Sequence, residues 1–227
     1  MRDADNIRDV SALDIDLMGF IFFPKSSRYV PMTNSGAGII PDYADENHKR
    51  GIKEYQILDK PKRVGVFVDD MPQNIVTRVY NYHLDYVQLH GNENRVMIEN
   101  LKRTLVPDIS PDIKIIKAIS ISCADDIKRC DEYDGLVDLL LFDTKCPTSG
   151  GSGVKFDWNI LQAYKGNTPF LLSGGIGPDD AEDICKITHP RFAGIDLNSR
   201  FESAPAMKDV EKLSKFISKI RQYEQNQ

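Results

Sequence analysis

Short apolar runs alternate along this chain with stretches whose apolar residues return every three or four positions, a pattern that predicts strands and helices in turn. The chain opens on a helix, with Ile7, Val10 and Leu13 on one stripe behind Asp3 or Asp5 as the N-cap. Strand-length runs follow at residues 17–23 (LMGFIFF, closed by Pro24), 63–69 (RVGVFVD), 85–91 (DYVQLHG), 113–119 (IKIIKAI), 139–142 (LLLF), 170–175 (FLLSGG) and 192–196 (FAGID). The most uniformly apolar of them, LLLF, suits a parallel strand covered on both faces. Between the runs the helical period sets in: from Pro72 with Ile75, Val76, Val79 and Tyr82, over residues 93–105, and near Ser122 and Asp157. It returns after Pro178 with Asp179 and Asp180, and over residues 207–223 with Val210, Leu213, Ile217 and Ile220 inward. Residues 31–62 lose the rhythm and read as an enlarged, mobile crossover with at best a short helix over 43–53. Strand, loop and helix in repetition mean βα units with right-handed crossovers.

Seven such strands, entered from a helix, predict an α/β fold: a (β/α)8 TIM barrel lacking its first strand. An open doubly wound sheet is the structural alternative. The barrel is preferred because the Gly-rich endings fall on the last two strands, where barrels bind phosphate, and because no G-x-G-x-x-G follows a first strand. Composition then sets the size: 227 residues, 41% apolar and 28% charged, fit one well-cored domain over residues 1–227. A net charge of -5 offers no counter-charge to nucleic acid or an anionic membrane, and leaves room only for local cationic sites that take a small anion. Cys123, Cys130, Cys146 and Cys185 form no C-x-x-C pair, no secretory leader precedes them, and no run nears the roughly 20 apolar residues of a membrane span. Free thiols in a cytoplasmic chain are the expectation.

Residues 139–153, LLLFDTKCPTSGGSG, concentrate the candidate chemistry. Asp143 falls where a buried strand runs out, at the rim where α/β folds place reactive groups, half shielded so that its carboxyl holds a proton usefully. Gly150, Gly151 and Gly153 permit close backbone approach and lid motion; equally, Asp143 caps a turn and the glycines only bend the chain. Other strand ends carry Arg28, Asp69, Gln88 with His90, Lys117, Ser173 with Gly174 and Gly175, and Asp196 with Asn198 and Ser199, and in a barrel all of these converge on one mouth. The amides of Gly174, Gly175, Ser199 and Arg200, helped by the N-terminal end of a short helix over residues 201–206, form an anion rim suited to a phosphorylated small molecule. The same glycines also serve simply to turn the chain, and Asp196 to brace the mouth.

The segments GFIFFPKSSRYV, RVGVFVD, VQLHG, IKAIS, FDTKCPTSGGSGVKFDW, LSGGI and DLNSRFE together resemble the phosphoribosylanthranilate isomerases, barrels of tryptophan biosynthesis, from Met18 onward. PKSSRYV, QLHG and DTK...GGSG...FDW are the specific part; the SGG and NSR turns are shared by many phosphate-binding barrels. The resemblance implies an Amadori rearrangement of N-(5'-phosphoribosyl)anthranilate to the 1-deoxyribulose phosphate, with no metal, nucleotide or redox cofactor. It implies Asp143 as general acid and Arg28 as partner of the anthranilate carboxylate. Ser173, Gly174, Gly175, Asn198, Ser199 and Arg200 then cradle the phosphate, His90 and Asp196 line the pocket, and Gly150, Gly151 and Gly153 fold over the substrate. Arg200 departs from the pattern, since the family often has Gly there.

A larger departure lies at the start. The family's first strand carries K-x-C-G, whose cysteine is the general base; Met1 and Arg2 match the residues after it, and none of the four cysteines replaces it. The expectation is a start at an internal methionine, with the longer protein an isomerase and these residues alone showing little turnover. A non-catalytic phosphosugar-binding barrel is the alternative. An epimerase is a weaker reading for want of paired His and carboxylate metal ligands, and an indole-glycerol-phosphate synthase for want of lysines and glutamates at the mouth. Monomer and homodimer both remain open.

Overall fold

The computed structural model describes residues 1–31, 61–144 and 158–225. The expected crossover lies largely outside them, as do Cys146 and the glycines at 150, 151 and 153. The first element is α1 (Ala4–Ser11), capped by Asp3, whose side chain accepts from Asn6 N at 2.9 Å. Seven parallel strands follow: β1 (Leu17–Ile21), β2 (Lys62–Phe67), β3 (Tyr86–Leu89), β4 (Lys114–Ile121), β5 (Leu139–Thr144), β6 (Phe170–Ser173) and β7 (Phe192–Ile195). Each pairs with the next in sequence. Between strands lie α2 (Pro72–Tyr82), begun by Pro72, and α3 (Arg95–Asp108), capped by Asn94 through a bond from Met97 N at 3.0 Å.

The two-residue period of the strands divides the core into two layers. On β4, Ile115 and Ile119 pack outward with Leu101 and Leu105 of α3, whereas Ile116 and Ala118 face inward with Val64, Leu141 and Leu171. Each fully buried Leu, Ile or Phe in these layers contributes about 1.5–3 kcal/mol. Residues from the inner faces of all seven strands line one cavity of about 810 Å³, so the sheet is curled as the barrel reading requires. Among the described residues β7 does not pair with β1.

Several expected helices take another form. Ala124–Tyr133 and Trp158–Ala163 are 3-10 segments, the first entered through a tight turn in which the Asp126 carboxylate accepts from Ser122 N and Cys123 N at 2.8 and 3.1 Å. The helix expected after Pro178 is only α4 (Ala181–Cys185). Where a helix was expected over 201–206, Ser199–Phe201 makes one 3-10 turn and the chain then folds into a hairpin, β8 (Glu202–Ala204) and β9 (Met207–Lys208). The last helix, α5 (Val210–Gln225), therefore begins three residues later than the apolar stripe suggests. Its start is set by Asp209, whose side chain accepts from Lys212 N at 3.0 Å, while the backbone N and O of Lys208 are already bonded to Asn6 at 2.8 and 2.9 Å.

Candidate active site

Parallel register brings the carboxyl-terminal ends of the strands to one rim. Asp143 on β5 lies beside Ser173 on β6 in the register, and the Ser173 hydroxyl donates to Asp196 Oδ2, just past β7, at 2.9 Å. Asp143 and Ser173 open into the cavity together with His90, Arg28 and Asp196. So do Gly174, Gly175, Asn198 and Ser199. Arg200 is not among the lining residues; a methyl group on Gly177 would meet Arg200 Cδ at 3.0 Å, so this side chain lies across the Gly177 backbone.

Asp143 Oδ2 stands 3.5 Å from His90 Nε2, with both side chains partly exposed to the cavity. On the far side of the imidazole, Gln88 Nε2 lies 3.0 Å from Nδ1. An amide nitrogen only donates, so Nδ1 accepts and, in the neutral ring, Nε2 carries the hydrogen that faces Asp143. The alternation of Gln88 and His90 along a strand carries this relation in the sequence.

The turn after β6 is built for close approach. Gly174 has φ 95° and Gly175 φ 67°, and a Cβ on Gly174 would collide with Thr144 O and lie 2.8 Å from Thr144 N. Thr144 Oγ1 ties the turn down by donating to Ser173 O at 2.8 Å. Among the described residues the amides of Gly174 and Gly175 donate to no protein acceptor.

On the opposite side of the mouth Arg28 is engaged with Glu202. Arg28 Nε donates to both carboxylate oxygens at 3.0 and 2.9 Å, and one terminal nitrogen donates to Oε2 at 2.6 Å. Lys208, the cross-strand neighbour of Glu202, reaches Glu202 Oε1 at 3.4 Å, Leu197 O at 3.1 Å and Asn198 Oδ1 at 3.0 Å. Burial works to raise the Glu202 carboxyl, but the bonds and charges of Arg28 and Lys208 outweigh it and hold it below the usual glutamate range. Burial lowers the Lys208 ammonium from its ordinary value, against the pull of Glu202. Reading residues 201–206 as a helix hid Glu202; the hairpin that carries it turns at Ala206, φ 68°, with no glycine to announce it.

Two residues expected at the mouth are elsewhere. Lys117 lies between the inward-facing Ile116 and Ala118, so its side chain turns out to the helix layer. There its ammonium, under the Tyr133 ring, donates to Leu89 O, Gly91 O and Glu93 Oε2 at 3.3, 2.7 and 3.0 Å. Asp69 N donates to Glu93 Oε1 at 2.9 Å, and the Asp69 carboxylate accepts from Asn92 N at 2.6 Å, so this residue braces the turn that follows His90. None of the three described cysteines lines the cavity. Among the described residues no group of three or more His, Cys, Asp or Glu could hold a metal ion, and no helix is long and apolar enough to cross a membrane.

Comparison with known proteins places this geometry. The model of the family described as N-(5'phosphoribosyl)anthranilate (PRA) isomerase matches residues 3–219. The N-(5'-phosphoribosyl)anthranilate isomerase of Parabacteroides distasonis is 44% identical over 97% of this chain and 90% of its own. The crystal structure of phosphoribosyl anthranilate isomerase from Thermotoga maritima superposes with a TM-score of 0.70 at 27% identity, over 98% of this chain and 96% of that one. A second structure of such an isomerase, in complex with reduced 1-(o-carboxyphenylamino)-1-deoxyribulose 5-phosphate, has a TM-score of 0.68 at 25% identity, over 98% of this chain and 95% of that one. With the family model spanning all seven described strands of a curled parallel sheet that ends on this mouth, the chain belongs to the N-(5'-phosphoribosyl)anthranilate isomerase family.

Proposed function

We propose that this protein catalyses the Amadori rearrangement of N-(5'-phosphoribosyl)anthranilate in tryptophan biosynthesis, with Asp143 as the general acid. The observation that carries the reading is the Asp143 carboxyl at the end of β5, 3.5 Å from His90 and facing the cavity between Arg28 and the Gly174 turn. In the reaction an acid protonates the ribose ring oxygen as the C1'–O bond breaks, leaving a Schiff base; a base then takes the C2' proton and the enolamine tautomerises to the ketose. Asp143 gives up the first proton, and the His90 Nε2 hydrogen steadies the carboxylate it leaves behind. Gly174 and Gly175, with Asn198 and Ser199, offer backbone and side-chain donors to the phosphate, while Ser173, whose hydroxyl is spent on Asp196, braces the turn. Arg28 offers its guanidinium to the anthranilate carboxylate. The described cysteines stand outside the cavity and do not supply the base. A binding-only barrel is not favoured, because the matching family and relatives are named isomerases.

The test is the loss of anthranilate fluorescence as substrate is consumed, using the protein as its own locus expresses it. Asp143→Asn should lower kcat about a hundredfold to ten-thousandfold, the usual worth of a positioned acid, with KM little changed. Protein that binds the reduced product analogue but never consumes substrate would refute the assignment.

A further inference from the structure

Three side chains on the Arg28 side of the mouth form a chain of ion pairs, of which the proposed chemistry uses only Arg28. Glu202 is at its centre, with its side chain 4% exposed, Arg28 on one side at 2.6 Å and Lys208 on the other at 3.4 Å. Two cations and one carboxylate give these three side chains a net charge of +1, and the Asp196 carboxylate also acts on Lys208. Nε and one terminal nitrogen of Arg28 are spent on Glu202, which leaves the other terminal nitrogen with no hydrogen bond among the described residues, on a side chain 25% exposed that lines the cavity. Lys208 spends its ammonium on Glu202, Leu197 O and Asn198 Oδ1, so it ties the Arg28 arm to the turn after β7. The hairpin fixes both residues, since Glu202 and Lys208 are directly opposed across β8 and β9 and the Lys208 backbone is held by Asn6.

We propose that Glu202 and Lys208 are positioning residues that hold the Arg28 guanidinium and the Asn198 turn at a fixed separation, so that the site selects ligands carrying a carboxylate and a phosphate that distance apart. A guanidinium gripped on one edge presents the other edge in a set direction, and a fork loses little further freedom when a second carboxylate docks. The inference rests on the proposed roles of Arg28 and the phosphate turn. It adds what aims them.

The test measures binding by fluorescence of the reduced product analogue, 1-(o-carboxyphenylamino)-1-deoxyribulose 5-phosphate, of its counterpart without the carboxyl group, and of inorganic phosphate by competition. The wild-type protein should prefer the carboxylated ligand about tenfold or more, the worth of one charge-assisted hydrogen bond. Glu202→Gln, nearly the same shape, should shrink that preference to about threefold or less and leave phosphate binding in place. Lys208→Met should weaken the carboxylate preference and phosphate binding together, and Lys208→Arg should restore part of both; thermal unfolding of each variant checks that the fold is kept. In turnover, Glu202→Gln should raise KM with kcat retained. The proposal is overturned if Glu202→Gln weakens both organic ligands equally, as a purely structural residue would, or alters neither. Turnover by wild type without a carboxylate preference would sink this inference alone. The expected preference without turnover would sink the isomerase reading alone, and a wild-type protein that binds none of the probes would sink both.

Discussion

Gly174 shows how much of the site is decided by a single backbone angle. At φ 95° and against the Thr144 backbone, it is a position that a residue with a side chain strains twice over, by conformation and by collision. Gly174→Ala should cost on the order of 1–3 kcal/mol from the backbone alone, read as a lower urea midpoint. It should also weaken phosphate binding more than Gly175→Ala does, because a Cβ at Gly175 meets nothing within 4 Å. The glycine pair was visible in the sequence, but which of the two is confined was not, since that depends on Thr144, 30 residues earlier in the chain, which packs behind the turn. Arg28 and Glu202 illustrate the same limit. A lone arginine in a basic loop announces an anion site, yet the carboxylate that aims it is 174 residues away and becomes its neighbour only through the fold.

At the level of elements, the buried ion pair of Lys117 and Glu93 joins β4 to the turn after β3, with both side chains almost wholly out of solvent. Removing one partner strands the other charge, so Lys117→Met should destabilise by about 3–5 kcal/mol, whereas adding Glu93→Gln to it should recover part of that loss in a double-mutant cycle read by urea unfolding. The paired Gln keeps an acceptor for the Asp69 and Gly91 amides that Glu93 serves. The strands themselves were legible because buried parallel strands are short apolar runs bounded by Pro, Gly and Asp. The connections were less so. An apolar stripe cannot tell an α-helix from the 3-10 segments after β4 and β5, and side chains such as Asp126, which bonds amides at the start of its own segment, decide the matter locally. The hairpin β8–β9 is too short for an alternating pattern to declare itself.

At the scale of the whole molecule, four carboxylates among the described residues have folded values below their ordinary range and thus bind fewer protons folded than unfolded. Asp126 is held there chiefly by the Ser122 amide, Asp134 by the Thr168 hydroxyl and Asp209 by the Lys212 amide, while Glu202 is held by Arg28 and Lys208 against its burial. The stability they contribute is complete above the ordinary carboxylate range and is lost as pH falls through their folded values. The urea midpoint should therefore decline steadily as pH falls below about 4, the ordinary carboxylate value, and Asp134→Asn should remove a share of that slope. The curled parallel sheet and its mouth were readable in the order of the runs, since each strand pairs with its successor. What joins the two ends of that order was not. Asn6 of α1 clasps the backbone of Lys208 with two bonds across 202 residues of chain. At roughly 5–20 residues per second, a ribosome releases the first partner about 10–40 s before it makes the second. A nascent chain halted short of residue 202 would thus present its sheet and its arginine with nothing yet to point the latter, and ligand selectivity is a property translation confers late.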